Sequence, residues 1–228
     1  MSINVDKVYQ RVLSIVRKEQ RGYITPQEFN LFANQVQLDT FEQYFYDLNQ
    51  FSRLPGNSTE YADMVDTLEE KISLFEKTAS LTLSGDRFVL PLDMYKIGTV
   101  LLNNNPAEQL TNKNYIDISR SNLTQPTDDF PVYVKNEDGI KVYGTTVASS
   151  GVSLNYTRKP AQVVWGYRVV QDNPLYDASV STDFELHPSD EVDLVLGILE
   201  LAGISIKQLD IAQYADIEEK EKVQLEKL

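Results

Sequence analysis

The chain has 228 residues, 42% apolar and 24% charged, which is enough for one substantial hydrophobic core and ordinary for a globular fold. Its 34 acidic and 21 basic residues leave a net charge of −13, which argues against a grip on nucleic acid or on an anionic membrane surface, both of which need Lys and Arg. There is no cysteine, so disulfides, thiolate nucleophiles and Cys-ligated zinc are excluded.

The first 77 residues read as helices. Val5, Val8, Val12 and Ile15 recur at helical spacing, with Leu13 and Val16 widening the stripe and Gly22 suited to a stop. Thr25-Pro26-Gln27-Glu28 is a start signal: Thr25 as cap, Pro26 in the first turn, and Glu28 completing a capping box. The helix it opens runs to about Phe51 and carries Phe29, Phe32, Val36, Phe41, Tyr44, Phe45, Leu48 and Phe51. Leu31 and Tyr46 fall off that stripe, so more than one face is apolar, as in a helix packed on several sides. Core packing accounts for such a helix, but interfaces also enrich Tyr and Phe, so Phe41, Tyr44, Phe45, Tyr46 and Phe51 are the candidate interface residues. A loop at Pro55-Gly56-Asn57-Ser58 precedes a third helix, capped by Ser58 or Thr59, with Tyr61, Val65, Leu68, Ile72 and Phe75 in register.

Residues 78–186 then change to period two. Leu81 to Ser84 and Arg87 to Leu90 flank Gly85-Asp86 as a hairpin, and Lys96 to Leu102 is a strand broken by Asn103-Asn104-Asn105-Pro106. A short helix is expected around Tyr115 to Ser121. Val132 to Val134 and Ile140 to Tyr143 flank Asn136-Glu137-Asp138-Gly139 as a second hairpin. Val152 to Arg158 and Val163 to Val170 are two more strands, and Pro174 starts a loop. Residues 187–228, the most acidic part, turn helical again. Pro188, Asp190 and Glu191 suit a first turn, Val192, Val195, Leu196, Leu199 and Ala202 form the buried stripe, and Gly203 interrupts or ends it. Ile204 to Ile217 reads as a second helix, followed by a charged tail that is an exposed helix or a frayed end that orders only on a partner. Helices, then strands, then helices make an α+β protein, with the N- and C-terminal helices packed as one layer on a central antiparallel β region.

The chemistry-bearing candidates are sparse. The single histidine, His187, precedes Pro188 and reads as a helix cap rather than a lone general base. Asp128-Asp129 and Asp190-Glu191 are carboxylate pairs for a hard metal, but a loop and a helix first turn account for them. Asn136 to Gly139 lacks the spaced ligands of a calcium loop. Arg158-Lys159 and Trp165 would make at most a weak stacking site for nucleic acid. No Walker loop, dinucleotide fingerprint or nucleophile elbow is present, so no catalytic residue, metal or cofactor is assigned. The start has no basic and apolar leader pattern, and no apolar run approaches the ~18 residues of a membrane span.

Three blocks carry a family resemblance. They are Val8-Tyr9-Gln10-Arg11-Val12-Leu13 with Asn30 to Gln35 and Phe41 to Phe45; Phe130-Pro131-Val132-Tyr133 through the Asp-Gly hairpin to Tyr156-Thr157-Arg158-Lys159-Pro160; and Phe184 to Glu191 leading to Ile198-Leu199-Glu200-Leu201-Ala202-Gly203. Over most of its length the chain resembles virion proteins of crAss-like and related short-tailed phages, by pattern rather than by any catalytic motif. The resemblance implies a head-to-tail connector ring or adaptor subunit. Such a subunit assembles with copies of itself into a closed ring of about twelve, and meets the portal protein and further tail or ring proteins. Its channel passes DNA without specific binding. The expected place is the head–tail junction of the virion, made in the host cytoplasm, with no catalytic residues to carry over. The rivals are another virion component, of tail or capsid, and a virion-borne hydrolase built on two converging carboxylates.

Overall fold

The computed structural model describes residues 2–18, 23–52, 59–137, 139–145 and 151–205. The protein is α+β, with helices at both ends of the chain and a large curled sheet between them. It divides into two compact units. One comprises residues 1–74 with 160–228, and the other is residues 75–159, inserted into the first.

In the helical unit, α1 (Val5–Lys18) buries Val5, Val8, Tyr9, Val12, Leu13 and Val16. Ile15 is exposed, a correction to the expected stripe: the sequence 5, 8, 9, 12, 16 follows the helical repeat and position 15 falls off it. The capping box forms at the head of α2 (Pro26–Ser52). Thr25 Oγ1 accepts the Glu28 N–H at 3.2 Å, and Glu28 Oε2 accepts the Thr25 N–H at 2.9 Å and its hydroxyl at 2.8 Å. Thr25→Ala is therefore expected to cost about 1 kcal/mol in chemical denaturation. The Thr25 N–H holds the Glu28 carboxyl below its usual value. A depressed carboxyl stabilises the fold above its unfolded pKa and loses that contribution as pH falls through the folded one. Glu28→Gln should accordingly flatten the acid side of a melting-temperature profile between about pH 5 and 3, and an unchanged profile would refute it.

Three amides on one face of α2 hold the extended segment 161–165 in place of a neighbouring strand. Asn34 exchanges two bonds of 2.8 Å with Val163, donating to its carbonyl and accepting its N–H. Asn30 does the same with Trp165 at 3.4 and 2.7 Å. Gln37, itself buried, donates to the Ala161 carbonyl at 2.8 Å and accepts from Glu185 N–H at 3.1 Å. The pitch explains the fit: four helical residues advance about 6 Å and two extended residues about 6.6 Å, while the longer Gln side chain covers the three-residue step to position 37.

α3 (Thr59–Ser73) packs on α2, burying Ile72 with Val65 and Leu68 half-buried, and leaves Asp66, Glu69 and Glu70 exposed. Its expected Tyr61 contact lies outside the described side chains. A single 3₁₀ turn, Pro188–Asp190, leads into α5 (Glu191–Ser205), which packs on α1 and α2. The helix continues through Gly203, which neither interrupts nor ends it. The second C-terminal helix, the charged tail and the Gly22 stop lie outside the described residues.

The inserted unit is one eight-stranded sheet, in the order β1 (Glu76–Ser80), β8 (Val152–Arg158), β4 (Met94–Leu102), β5 (Asn105–Leu110), β6 (Val132–Asn136), β7 (Gly139–Tyr143), β3 (Arg87–Phe88), β2 (Leu83–Ser84). Every neighbouring pair is antiparallel except β5 and β6, which are parallel. The outermost strands β1 and β2 are consecutive in the chain, separated by Leu81 and Thr82 alone, so the sheet must curl until its two ends meet. Leu81, Phe88, Val100, Leu102, Tyr133, Ile140, Val142, Val152, Leu154 and Tyr156 fill the curl as its core. β5 was not expected, and α4 (Asn112–Ser119) begins three residues before the predicted helix. The remaining elements, β9 (Tyr167–Val170) and β10 (Asn173–Tyr176), form a separate hairpin in the helical unit where a loop was expected at Pro174.

Candidate functional site

The densest polar cluster of the helical unit lies at the start of α5. Asp190 is buried, with Oδ2 accepting from the Tyr44 hydroxyl at 2.6 Å and Oδ1 from Lys71 Nζ at 2.7 Å and Ser189 Oγ at 3.2 Å. It thus ties α2, α3 and α5 together. Burial first, and then the hydrogen bond to Asp190, push the Tyr44 phenol far above its ordinary value. His187 caps the 188–190 turn, its Nδ1 accepting the Ser189 N–H at 3.2 Å, as the cap reading expects. Glu191 points elsewhere, pairing with Lys7 at 2.8 Å and Arg11 at 2.5 Å. Asp190 and Glu191 therefore serve different partners and do not converge on one point. Among the described residues no three His, Asp or Glu side chains are grouped to hold a metal.

Aromatic side chains build a second feature in the same unit. The Tyr9 ring lies 4.7 Å from Phe29 and 4.4 Å from Trp165, and Trp165 lies 5.8 Å from both Tyr167 and Tyr176. Trp165 is buried and donates Nε1–H to Asp6 at 2.9 Å, so it presents no face for a base to stack on. A cleft of about 490 Å³ opens beside these rings, lined by Tyr9, Tyr23, Trp165 and Tyr176 and rimmed by Asp172.

In the sheet unit, a polar groove of about 340 Å³ runs over β1, β8 and β4, lined by Lys77, Thr78, Thr99, Asn155 and Thr157. Gly98 lies in its floor where β4 bulges, and a Cβ there would fall 2.7 Å from the Asn155 carbonyl oxygen. At its end Asp93 accepts from Lys77 at 3.2 Å and from the Tyr156 hydroxyl at 3.0 Å. Burial opposes the Asp93 charge, but these two hydrogen bonds hold its carboxyl below the usual value. The same bond to Asp93 raises Lys77. Arg158, the other half of the sequence's stacking candidate, lies 5.9 Å from the centre of the Phe75 ring.

The perturbed groups share one direction. Glu28, Asp86, Asp93 and Asp177 are lowered, Lys77 and Lys141 are raised, and Tyr44, Tyr133, Tyr143 and Tyr156 are raised. Each of these groups moves away from neutrality.

The sequence-predicted interface residues separate in the structure. Phe41, Tyr44 and Phe51 are buried within the helical unit, Phe45 is half-buried against Phe41 with ring centres 5.1 Å apart, and Tyr46 is exposed. Other exposed apolar side chains are Leu31 on α2, Val169, Val170 and Leu175 in the β9–β10 hairpin, and Leu92, Ile116, Leu123 and Phe130 in the sheet unit; Val192 is exposed too, a correction to the expected buried stripe of α5, whose buried face is Leu194, Val195, Ile198, Leu199 and Ala202. No helix among the described residues is long and apolar enough to cross a membrane. No known family model matches the sequence, and no curated protein matches it either.

Proposed function

We propose that this chain is a structural ring subunit of a phage head-to-tail connector, joining a portal protein to further tail or ring proteins and framing the channel through which DNA leaves. The observation that carries the reading is the spread of exposed large apolar side chains over both units of a strongly acidic chain. A subunit in a closed ring meets its neighbours through two different surfaces, and each needs apolar area. Further support comes from the resemblance of the three sequence blocks to virion proteins. An excess of 34 acidic over 21 basic residues repels phosphate and leaves DNA mobile in a channel.

Light scattering and electron microscopy on the purified protein, alone and mixed with its portal, test the reading. The expected result is a closed ring of about twelve copies in at least one sample, with a central hole wide enough for duplex DNA. A persistent monomer that ignores the portal would overturn it.

A further inference from the structure

Tyr115 of α4 and Tyr143 of β7 lie face to face, with ring centres 3.7 Å apart and planes 20° from parallel. Rings cannot approach much closer than about 3.5 Å plane to plane, so almost no offset is left. Aromatic pairs ordinarily avoid this sandwich, because ring faces repel each other. The pair joins two otherwise loosely connected elements. β5 and β6 are parallel neighbours, so the chain between them crosses over, and such crossovers ordinarily bury one side of a helix on the sheet. α4 is the helix of this crossover, and it buries no residue. Tyr115 and Ile118 are its half-buried side chains, and the rest are exposed.

Two phenols stacked in this way are set up for one reaction. Whatever the rotation within the stack, a carbon ortho to one hydroxyl lies within about 5 Å of a carbon ortho to the other. Joining those carbons requires the rings to turn edge to edge. α4 can follow that turn, because no buried side chain anchors it. Both rings are half-exposed, so an oxidant can reach them, whereas Tyr9, Tyr44, Tyr133 and Tyr156 are buried. The chain has no cysteine, so no thiol of its own intercepts the oxidising equivalent.

We infer that Tyr115 and Tyr143 are a modification site, at which hydrogen peroxide acting through a haem peroxidase joins α4 to β7 as a dityrosine. Each phenol gives up one electron and its hydroxyl proton, which leaves two phenoxyl radicals. A carbon–carbon bond forms between their ortho positions, and the hydrogens displaced from those carbons pass as protons to the phenoxyl oxygens. The chain loses two electrons and two protons, and one hydrogen peroxide takes them up to become two waters. The stack makes the coupling a reaction within one chain, since the partner ring is present at an effective concentration far above that of any second molecule. The new bond closes a loop of about 28 residues in the unfolded chain. It pins to the sheet a crossover helix that rests there without burying a residue. The site needs one chain only and is independent of the ring reading.

Oxidation of the dilute full chain by a haem peroxidase and hydrogen peroxide tests the site. The expected product is a single chain with the blue fluorescence of a biphenol and a mass lower by two hydrogens. Its tryptic digest should join the peptides that carry Tyr115 and Tyr143. Trypsin acting on the folded, oxidised chain at the exposed Arg120 should leave the two pieces together in denaturant. Tyr115→Phe keeps a ring in the stack and should lower the within-chain product by about tenfold or more, whereas Tyr46→Phe, an exposed tyrosine of the helical unit, should leave it unchanged. The sheet unit of the linked chain should melt on the order of 10 °C higher. Fluorescent dimers without a Tyr115–Tyr143 link, or a within-chain link between other tyrosines, would overturn the site. So would a chain that keeps its mass while tyrosine amide is coupled in a parallel reaction. A Tyr115–Tyr143 link that leaves the melting temperature unchanged would overturn its role as a staple.

Discussion

Asp190→Ala is expected to destabilise the helical unit by about 3 kcal/mol, because it strands a half-buried ammonium and a buried phenol. The Asp190 side chain is 7% exposed and that of Lys71 18%, so water cannot readily replace the lost carboxylate. A loss of that size lowers the melting temperature on the order of 10 °C in a unit of this length. Tyr44→Phe removes one hydrogen bond and should cost about 1–2 kcal/mol. Replacing the pair by apolar residues, Lys71→Met with Asp190→Leu, should recover much of the loss, since the charges stabilise each other more than they stabilise the fold. Tyr44 adds a signature at high pH. Its folded pKa lies above the unfolded one, so its contribution is complete below about pH 10 and is lost as pH rises further. Tyr44→Phe should flatten the alkaline limb of the stability profile. A melting temperature for Asp190→Ala within about 2 °C of the parent would show that the cluster does not tie the helices together.

Residues 75–159 expressed alone should fold cooperatively. They contain a complete core of their own, and their sheet needs no strand from outside. Their two ends are already neighbours: Arg158 N–H donates to the Phe75 carbonyl at 2.9 Å, and Glu76 pairs with Thr157. Cutting the chain at 74/75 and 159/160 therefore breaks no β1–β8 pairing and leaves no loop to close. A fragment of this size is expected to be stable by several kcal/mol, with dispersed amide resonances and a single unfolding transition. The spectrum of a random chain would mean that the sheet depends on residues outside the insertion.

The legible parts of the fold are those with local chemistry. The Thr25–Glu28 box, the strand from Lys96 to Leu102, the hairpin closing on Gly139 and the strand from Val152 to Arg158 follow directly from capping, alternation and turn residues. β5 and β10 were hidden by proline, which cannot donate to a ladder and ordinarily demotes a strand. Pro106 sits opposite Leu101 in β5, and Pro174 opposite Val169 in a hairpin whose outer edge has no neighbour. The β9–β10 turn has no Gly or Asn at its tip. Gln171 and Asp172 take the left-handed conformation, with φ of 50° and 60°, at positions the sequence does not mark. The aromatic stripe of α2 reads first as core and second as an interface, and Phe41, Tyr44 and Phe51 are buried while Tyr46 is exposed. Aromatic periodicity reports burial and is silent on which body does the burying. The exposed Leu123 and Phe130 lie in a stretch of Ser, Thr, Asn and Asp without period.

The three amides of α2 also impose an order on synthesis. Asn30, Asn34 and Gln37 are made early, but their partners at 161–165 and 185 leave the ribosome only after the whole insertion has been translated. At roughly 5–20 residues per second, α2 waits on the order of ten seconds for the backbone that saturates it, while the sheet of residues 75–159 has every strand it needs before that moment. The nascent chain thus completes its second unit before its first. The part that emerges first spends the interval with the face of its Phe- and Tyr-rich helix that later meets α5 and residues 161–165 uncovered, which is when a chaperone would have most to bind.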